Sequence, residues 1–100
     1  MTLEELRTDL AEIIAGLNTR GFDSADAGIT ARLEQLGSSA LELGLKEGKH
    51  LIENLATVIR AIREGKSKPE SGNLRLIALE FYLDKLPENE EPEELLDAVV

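Results

Sequence analysis

The sequence predicts an all-α fold, an antiparallel four-helix bundle. In four segments the apolar residues recur every three or four positions, which is the spacing of one face of an α-helix. Glycine, proline and polar turn residues separate these segments, and the connections are short enough to place successive helices side by side in opposite directions. No segment alternates apolar and polar residues as a half-buried strand does. A chain of 100 residues is long enough to bury one such core.

The first helix is expected to run from Leu3 to about Asn18. Thr2 and Glu5 have the spacing of a capping box, in which the hydroxyl and the carboxylate each accept a hydrogen bond from a backbone N–H at the start of the helix. Gly21 is expected to end the helix in a left-handed conformation. The apolar stripe consists of Leu3, Leu6, Leu10, Ile13, Ile14 and Leu17.

The second helix is expected from about Ser24 to Leu43, with Asp23 or Ser24 as its cap and Asp26 in its first turn. Its apolar stripe keeps its phase through Gly37 and the two serines that follow. Because a glycine costs a helix about 1 kcal/mol, a break at this point is the alternative. We predict one continuous helix whose backbone can be approached closely near the glycine. The stripe consists of Ile29, Leu33, Leu36, Ala40 and Leu43.

Residues 45–63 are expected to form the central helix, around which the others pack. Its apolar residues cover more than half of its circumference, so it needs neighbours on two or three sides. Gly44 is expected to end the second helix and make the two an antiparallel hairpin. The fourth helix is expected to be the closest companion of the central one. The apolar positions are Leu51, Ile52, Leu55, Ala56, Val58, Ile59 and Ile62.

The fourth helix is expected to span residues 74–86, with Ser71 or Asn73 as its cap. Pro69 and Gly72 oppose a continuous helix, so residues 65–73 are expected to form the longest loop. The helix is apolar over a wide arc, which is made of two sets of residues. The first set is Leu74, Ile77, Ala78 and Phe81, and the second is Leu76, Leu79, Leu83 and Leu86.

The chain is expected to form one bundle domain, residues 1–87, followed by an acidic tail, residues 88–100, that has room for a short fifth helix. The net charge is −9, and the tail holds six acids and no base, which leaves −3 on the bundle. An acidic chain with three aromatic residues disfavours nucleic acid as a partner. No apolar run reaches the roughly 18 residues of a membrane span, so no membrane contact is expected. With no cysteine and no secretory pattern at the N-terminus, we expect a cytoplasmic protein.

No residue pattern indicates catalysis, a cofactor or a metal. His50 is the only histidine, and no second ligand stands at metal-binding spacing from it. Gly37 and Gly44 lack the lysine and threonine of a phosphate-binding loop, and the serines after Gly37 have no base in a recognisable motif. We therefore expect no catalytic, cofactor-binding or metal-binding residues, no cofactor, and a protein that is not an enzyme.

Residues 31–44, with a long helix after them, resemble the core of histidine-containing phosphotransfer domains. That motif has the form His-x-x-Lys-Gly-Ser/Ala-Ser/Ala, followed by a second glycine at a turn. Here Leu33 stands in place of the histidine and Leu36 in place of the lysine, and Gly44 comes one residue later than the family's second glycine. The resemblance covers residues 24–65 and implies a helical bundle that has lost phosphotransfer but can still dock to a receiver or kinase domain. The matching residues are Gly37, Ser38 and Ser39.

The function expected from these observations is that of a small, acidic, non-catalytic interaction or regulatory module with an unidentified protein partner. Self-association is expected because the third and fourth helices have more apolar faces than four helices can cover. A degenerate phosphotransfer-like docking module is the alternative, and a small-ligand binder with a cavity closed by His50 or Tyr82 is a third hypothesis. The candidate docking residues are Gly37, Ser38, Ser39, Leu95, Leu96 and Val99.

Overall fold

Four α-helices make up the part of the chain that the computed structural model describes, which is residues 1–22 and 25–86. No strand occurs within these residues, and the predicted all-α bundle is confirmed. The predicted tail helix lies outside them, as do Asp23, Ser24 and Pro87. The helices are α1 (Leu3–Arg20), α2 (Ala27–Glu42), α3 (Lys46–Arg63) and α4 (Pro69–Lys85).

The start of α1 follows the capping box that the sequence predicts. The Thr2 hydroxyl accepts a hydrogen bond from the Glu5 backbone N–H at 3.1 Å, and the Thr2 backbone N–H donates to Glu5 Oε1 at 2.9 Å. At the other end, Gly21 has φ +80° and its N–H donates to the Leu17 carbonyl. Because each of these signals involves residues that are close together in the sequence, both ends of α1 could be predicted to within two residues.

The second helix begins three residues later than the sequence predicts. Asp26 is its cap, and the Asp26 carboxylate accepts from the Ile29 N–H at 3.1 Å. The helix continues without interruption through Gly37 to Glu42, as predicted, and Gly44 then takes φ +83° in the turn to α3.

The closest companion of α3 is α2, so the prediction that α4 would hold this place is wrong. Gly37 on α2 is buried against α3, where a Cβ atom would lie only 3.3 Å from Glu53 Cγ. Glu34 lies nearly one turn before Gly37 on α2, and it pairs with Arg60, which lies nearly two turns after Glu53 on α3. The two helices therefore run antiparallel. Small residues on α2 thus allow the two backbones to approach.

The fourth helix begins at Pro69, five residues before the predicted start, and the expected long loop shrinks to residues 64–68. Proline suits the first position of a helix because its fixed φ is helical and its missing N–H is not needed there. Gly72 is buried inside this first part of α4, where an added Cβ would lie 2.8 Å from Phe22 Cζ. The glycine therefore makes room for an aromatic ring from another segment rather than marking a loop.

The core lies where the inner faces of the four helices meet, and α3 provides the middle of it. Ile52, Leu55 and Ile59 are each at most 1% exposed. Contacts follow the order of the chain, α1 with α2, α2 with α3 and α3 with α4, and a smaller contact between α1 and α4 closes the ring. The fully buried large side chains are Leu6, Leu10, Leu33, Ile52, Leu55, Ile59 and Leu79.

Candidate functional site

The outward side of α4 carries large apolar side chains that the bundle does not cover. Leu74, Ile77 and Phe81 are 69%, 60% and 61% exposed, respectively. At 3.6 residues per turn they share one side of the helix. We call these three residues the outer strip.

The core-facing side of α4 lies nearly opposite the outer strip. It consists of Leu76, Leu79 and Leu83, all buried. Both apolar sets are predicted from the sequence, and the structure shows which of them faces the core. The strip is therefore a second apolar face of α4, whose first apolar face already packs into the core of the bundle.

Charges of opposite sign stand at the two ends of the outer strip. Glu70 lies on the same side in the first turn of α4, and Lys85 lies in the last turn. The Lys85 ammonium is 4.2 Å from the centroid of the Phe81 ring, within the range of a cation–π interaction. Ala78, half-buried, extends the strip at its middle.

The outer strip is the only place in residues 1–22 and 25–86 where exposed large apolar side chains come together on one helix. The other two such residues are Met1, at the chain start, and Leu41, at the end of α2. Scattered single apolar residues are normal on protein surfaces, whereas a contiguous patch marks a contact site.

The third helix does not share this surplus. Ile52, Leu55, Ala56 and Ile59 are buried, and the flanking Leu51, Val58 and Ile62 are half-buried against the core. The expectation that both α3 and α4 expose a second apolar face therefore holds for α4 alone, because α2 and α4 cover both sides of α3.

The candidate docking residues on α2 are divided by the structure. Gly37 is buried beneath α3, Ser39 is half-buried, and Ser38 is exposed. The close approach that the glycine permits is used by a helix of the same chain. Leu95, Leu96 and Val99 lie outside the described residues.

Tyr82 packs on the first turn of α3. A Cβ added to Gly48 would lie 3.0 Å from the Tyr82 hydroxyl. Burial raises the pKa of Tyr82, a hydrogen bond from the Gly48 backbone opposes this shift, and the Glu47 carboxylate adds to it. Tyr82 fills the space next to Gly48. His50, on α3, is exposed.

A shallow cleft of about 430 Å³ lies between α1 and α4, whose contact with each other is smaller than the contacts between helices that follow one another in the chain. Two hydrogen bonds cross it or its end: the Asn18 amide donates to Glu80 Oε1 at 3.0 Å, and the Arg7 guanidinium donates to the Leu86 carbonyl at 2.6 Å. The described side chains provide no group of three or more histidine, aspartate or glutamate residues placed to hold a metal ion. None of the four helices is both long and apolar enough to cross a membrane.

Comparison of the chain with protein-family models, with curated proteins and with solved structures finds no match. The sequence predicts the three residues of the outer strip as an apolar set but not as a candidate site. The charges at its ends could not single it out, because Glu70 lies in the predicted loop and stands at helical spacing from the strip only in the longer helix that the structure shows.

Proposed function

We propose that the chain is a small, non-catalytic, cytoplasmic protein-interaction module of regulatory type, and that the outer strip on α4 is its contact surface. The observation that carries the proposal is the exposure of Leu74, Ile77 and Phe81 on the side of α4 opposite the core. Keeping three large apolar side chains in water is unfavourable by about 1–2 kcal/mol each relative to covering them. A protein partner that covers them regains this free energy.

The experiment that tests this function places a photo-crosslinking amino acid at position 77, in the middle of the strip. The matched control places it at Thr57, an exposed position in the middle of α3. We expect discrete crosslinked species from position 77, with the purified protein or in a native lysate, and none from position 57. No crosslink from position 77 under either condition, or equal crosslinking from both positions, would overturn the proposal.

The phosphotransfer-like docking module is the second candidate, and the exposed Ser38 hydroxyl is the observation in its favour. This candidate has less support than the outer strip, because the neighbouring Gly37 packs under α3 and so cannot receive a helix from another protein. Binding of a receiver domain that is weakened by Ser38→Trp but not by Ile77→Gln would favour this candidate over the outer strip.

A further inference from the structure

We infer that the partner of the outer strip is a second copy of this chain, laid antiparallel against it so that the two α4 helices pair about a two-fold axis. The inference rests on the proposed function and names the occupant of the same surface. The order of apolar and charged residues along α4 supports it.

The outer strip is complementary to itself when one copy is reversed. The centre of the strip is the midpoint between Ile77 and Ala78. Leu74 before it and Phe81 after it are the same number of residues away from this midpoint. A two-fold axis at this midpoint therefore sets the leucine of each copy opposite the phenylalanine of the other. In such an isologous contact every pairing is made twice. The small Ala78 side chain leaves room at the centre, where the isoleucines of the two copies come closest.

The charges at the ends of the strip obey the same symmetry. Glu70 and Lys85 are also equally far from the midpoint, so each glutamate meets a lysine of the other copy. A parallel arrangement would place glutamate beside glutamate and lysine beside lysine, which is unfavourable. Charge therefore selects the antiparallel orientation, and the apolar residues between the charged ends supply the contact area.

The position of the strip allows two copies to meet without rearranging the bundle. Residues 70–85 extend over roughly 22 Å of helix at 1.5 Å per residue, and α1 and α3 contact the other sides of α4. One helix from each copy makes a small interface, and small interfaces are typical of weak, reversible complexes. The dimer is therefore expected to form and dissociate with concentration.

Charge reversal tests the pairing. Sedimentation equilibrium over a wide range of concentrations is measured for the wild type, Glu70→Lys, Lys85→Glu and the variant with both substitutions. Each single reversal replaces two attractive pairs by two repulsive ones and is expected to raise the dissociation constant of the dimer about fivefold or more. The double variant restores opposite charges and is expected to return to within about twofold of the wild type.

The matched control is Glu4→Lys, which changes the same residue type at the same place, the exposed second residue of a helix, on α1 instead of α4. It is expected to leave the dissociation constant unchanged. Circular dichroism of each variant shows whether the bundle still folds.

The outcomes separate the inference from the proposed function. A wild-type chain that stays monomeric at high concentration, yet crosslinks to other proteins from position 77, overturns the inference and leaves the proposed function standing. A dimer whose single reversals have no effect, or whose double variant is not rescued, overturns the antiparallel pairing. A monomer without crosslinks overturns both.

Discussion

The substitution Leu74→Gln is expected to weaken self-association while leaving the fold intact. Leu74 is 69% exposed in the single chain, and fully burying a leucine is worth about 1.5–3 kcal/mol. Covering the exposed part is thus worth about 1–2 kcal/mol per copy. A two-fold contact loses this contribution twice, about 2–4 kcal/mol, which raises the dissociation constant roughly 30-fold or more.

The matched control is Leu41→Gln, which removes the same side chain from an exposed position at the end of α2, where Leu41 is 45% exposed. Both variants are expected to lose at most about 1–2 kcal/mol of unfolding free energy in urea, because each leucine is only partly covered in the single chain and glutamine is nearly as good a helix former as leucine. Sedimentation equilibrium compares their dissociation constants. Equal weakening by both substitutions, or none by Leu74→Gln, would show that the outer strip is not the dimer contact.

Three further predictions concern the bundle itself. Gly72→Ala is expected to destabilise it by about 1–3 kcal/mol in urea unfolding, because the added methyl group meets a buried ring. Gly16→Ala, where no atom lies within 4 Å of the new group, is expected to stabilise it by about 1 kcal/mol. A Gly72→Ala variant that is more stable than Gly16→Ala would contradict the packing of Phe22 on Gly72. Because the pKa of Tyr82 is raised from 10.0 in the folded state, its contribution to stability is full below about pH 10 and is lost as the pH rises through the raised pKa. Near-ultraviolet titration of this single tyrosine, in a chain without tryptophan, should give a midpoint that falls on unfolding in urea, and a midpoint unmoved by urea would be evidence against the burial. Thr2→Ala is expected to cost about 1 kcal/mol through the lost cap. The pKa of Glu5 is lowered first by the hydrogen bond from the Thr2 backbone N–H, which the variant keeps, and then by the Thr2 hydroxyl, which it removes, so the pKa is expected to rise part of the way toward 4.5. The contribution of Glu5 is present above that pH and is lost as the pH falls through the lowered pKa, and an NMR titration of its carboxylate that is the same in both proteins would contradict the role of the hydroxyl.

Helix ends that depend on local signals could be predicted from the sequence. The capping box at Thr2 and the positive φ of Gly21 and Gly44 each involve a few neighbouring residues. The sequence predicts the start of α2 too early because three residues able to cap a helix occur in four positions. The carboxylate that accepts from the helix N–H belongs to the last of them, Asp26.

The start of α4 could not be predicted because the deciding contact is distant in sequence. Gly72 lowers helix propensity, yet it lies in the helix because the Phe22 ring occupies the space of a side chain there. The same limit applies to the closest companion of α3, since the depth to which Gly37 on α2 packs against α3 depends on the arrangement of all four helices.

The outer strip shows what pattern alone leaves open. Two apolar sets on one helix predict that one faces the core and the other does not, but the helical wheel treats them equally. Only the positions of α1 and α3 show that Leu76, Leu79 and Leu83 face inward. Once the inward side is known, the outer strip follows from the sequence, whereas the place of Glu70 at its end depends on the earlier start of α4.

A dilution series followed by nuclear magnetic resonance tests whether the outer strip is a contact surface. Backbone amide signals of the labelled chain are recorded from millimolar to low micromolar concentration. We expect concentration-dependent shifts confined to the outward side of α4 and strongest around Leu74, Ile77 and Phe81, with Leu41 unchanged. Two results would show that the outer strip is not a contact surface. The first is a spectrum that does not change on dilution and shows no response at the strip when other proteins are added. The second is a set of shifts that map to the cleft between α1 and α4.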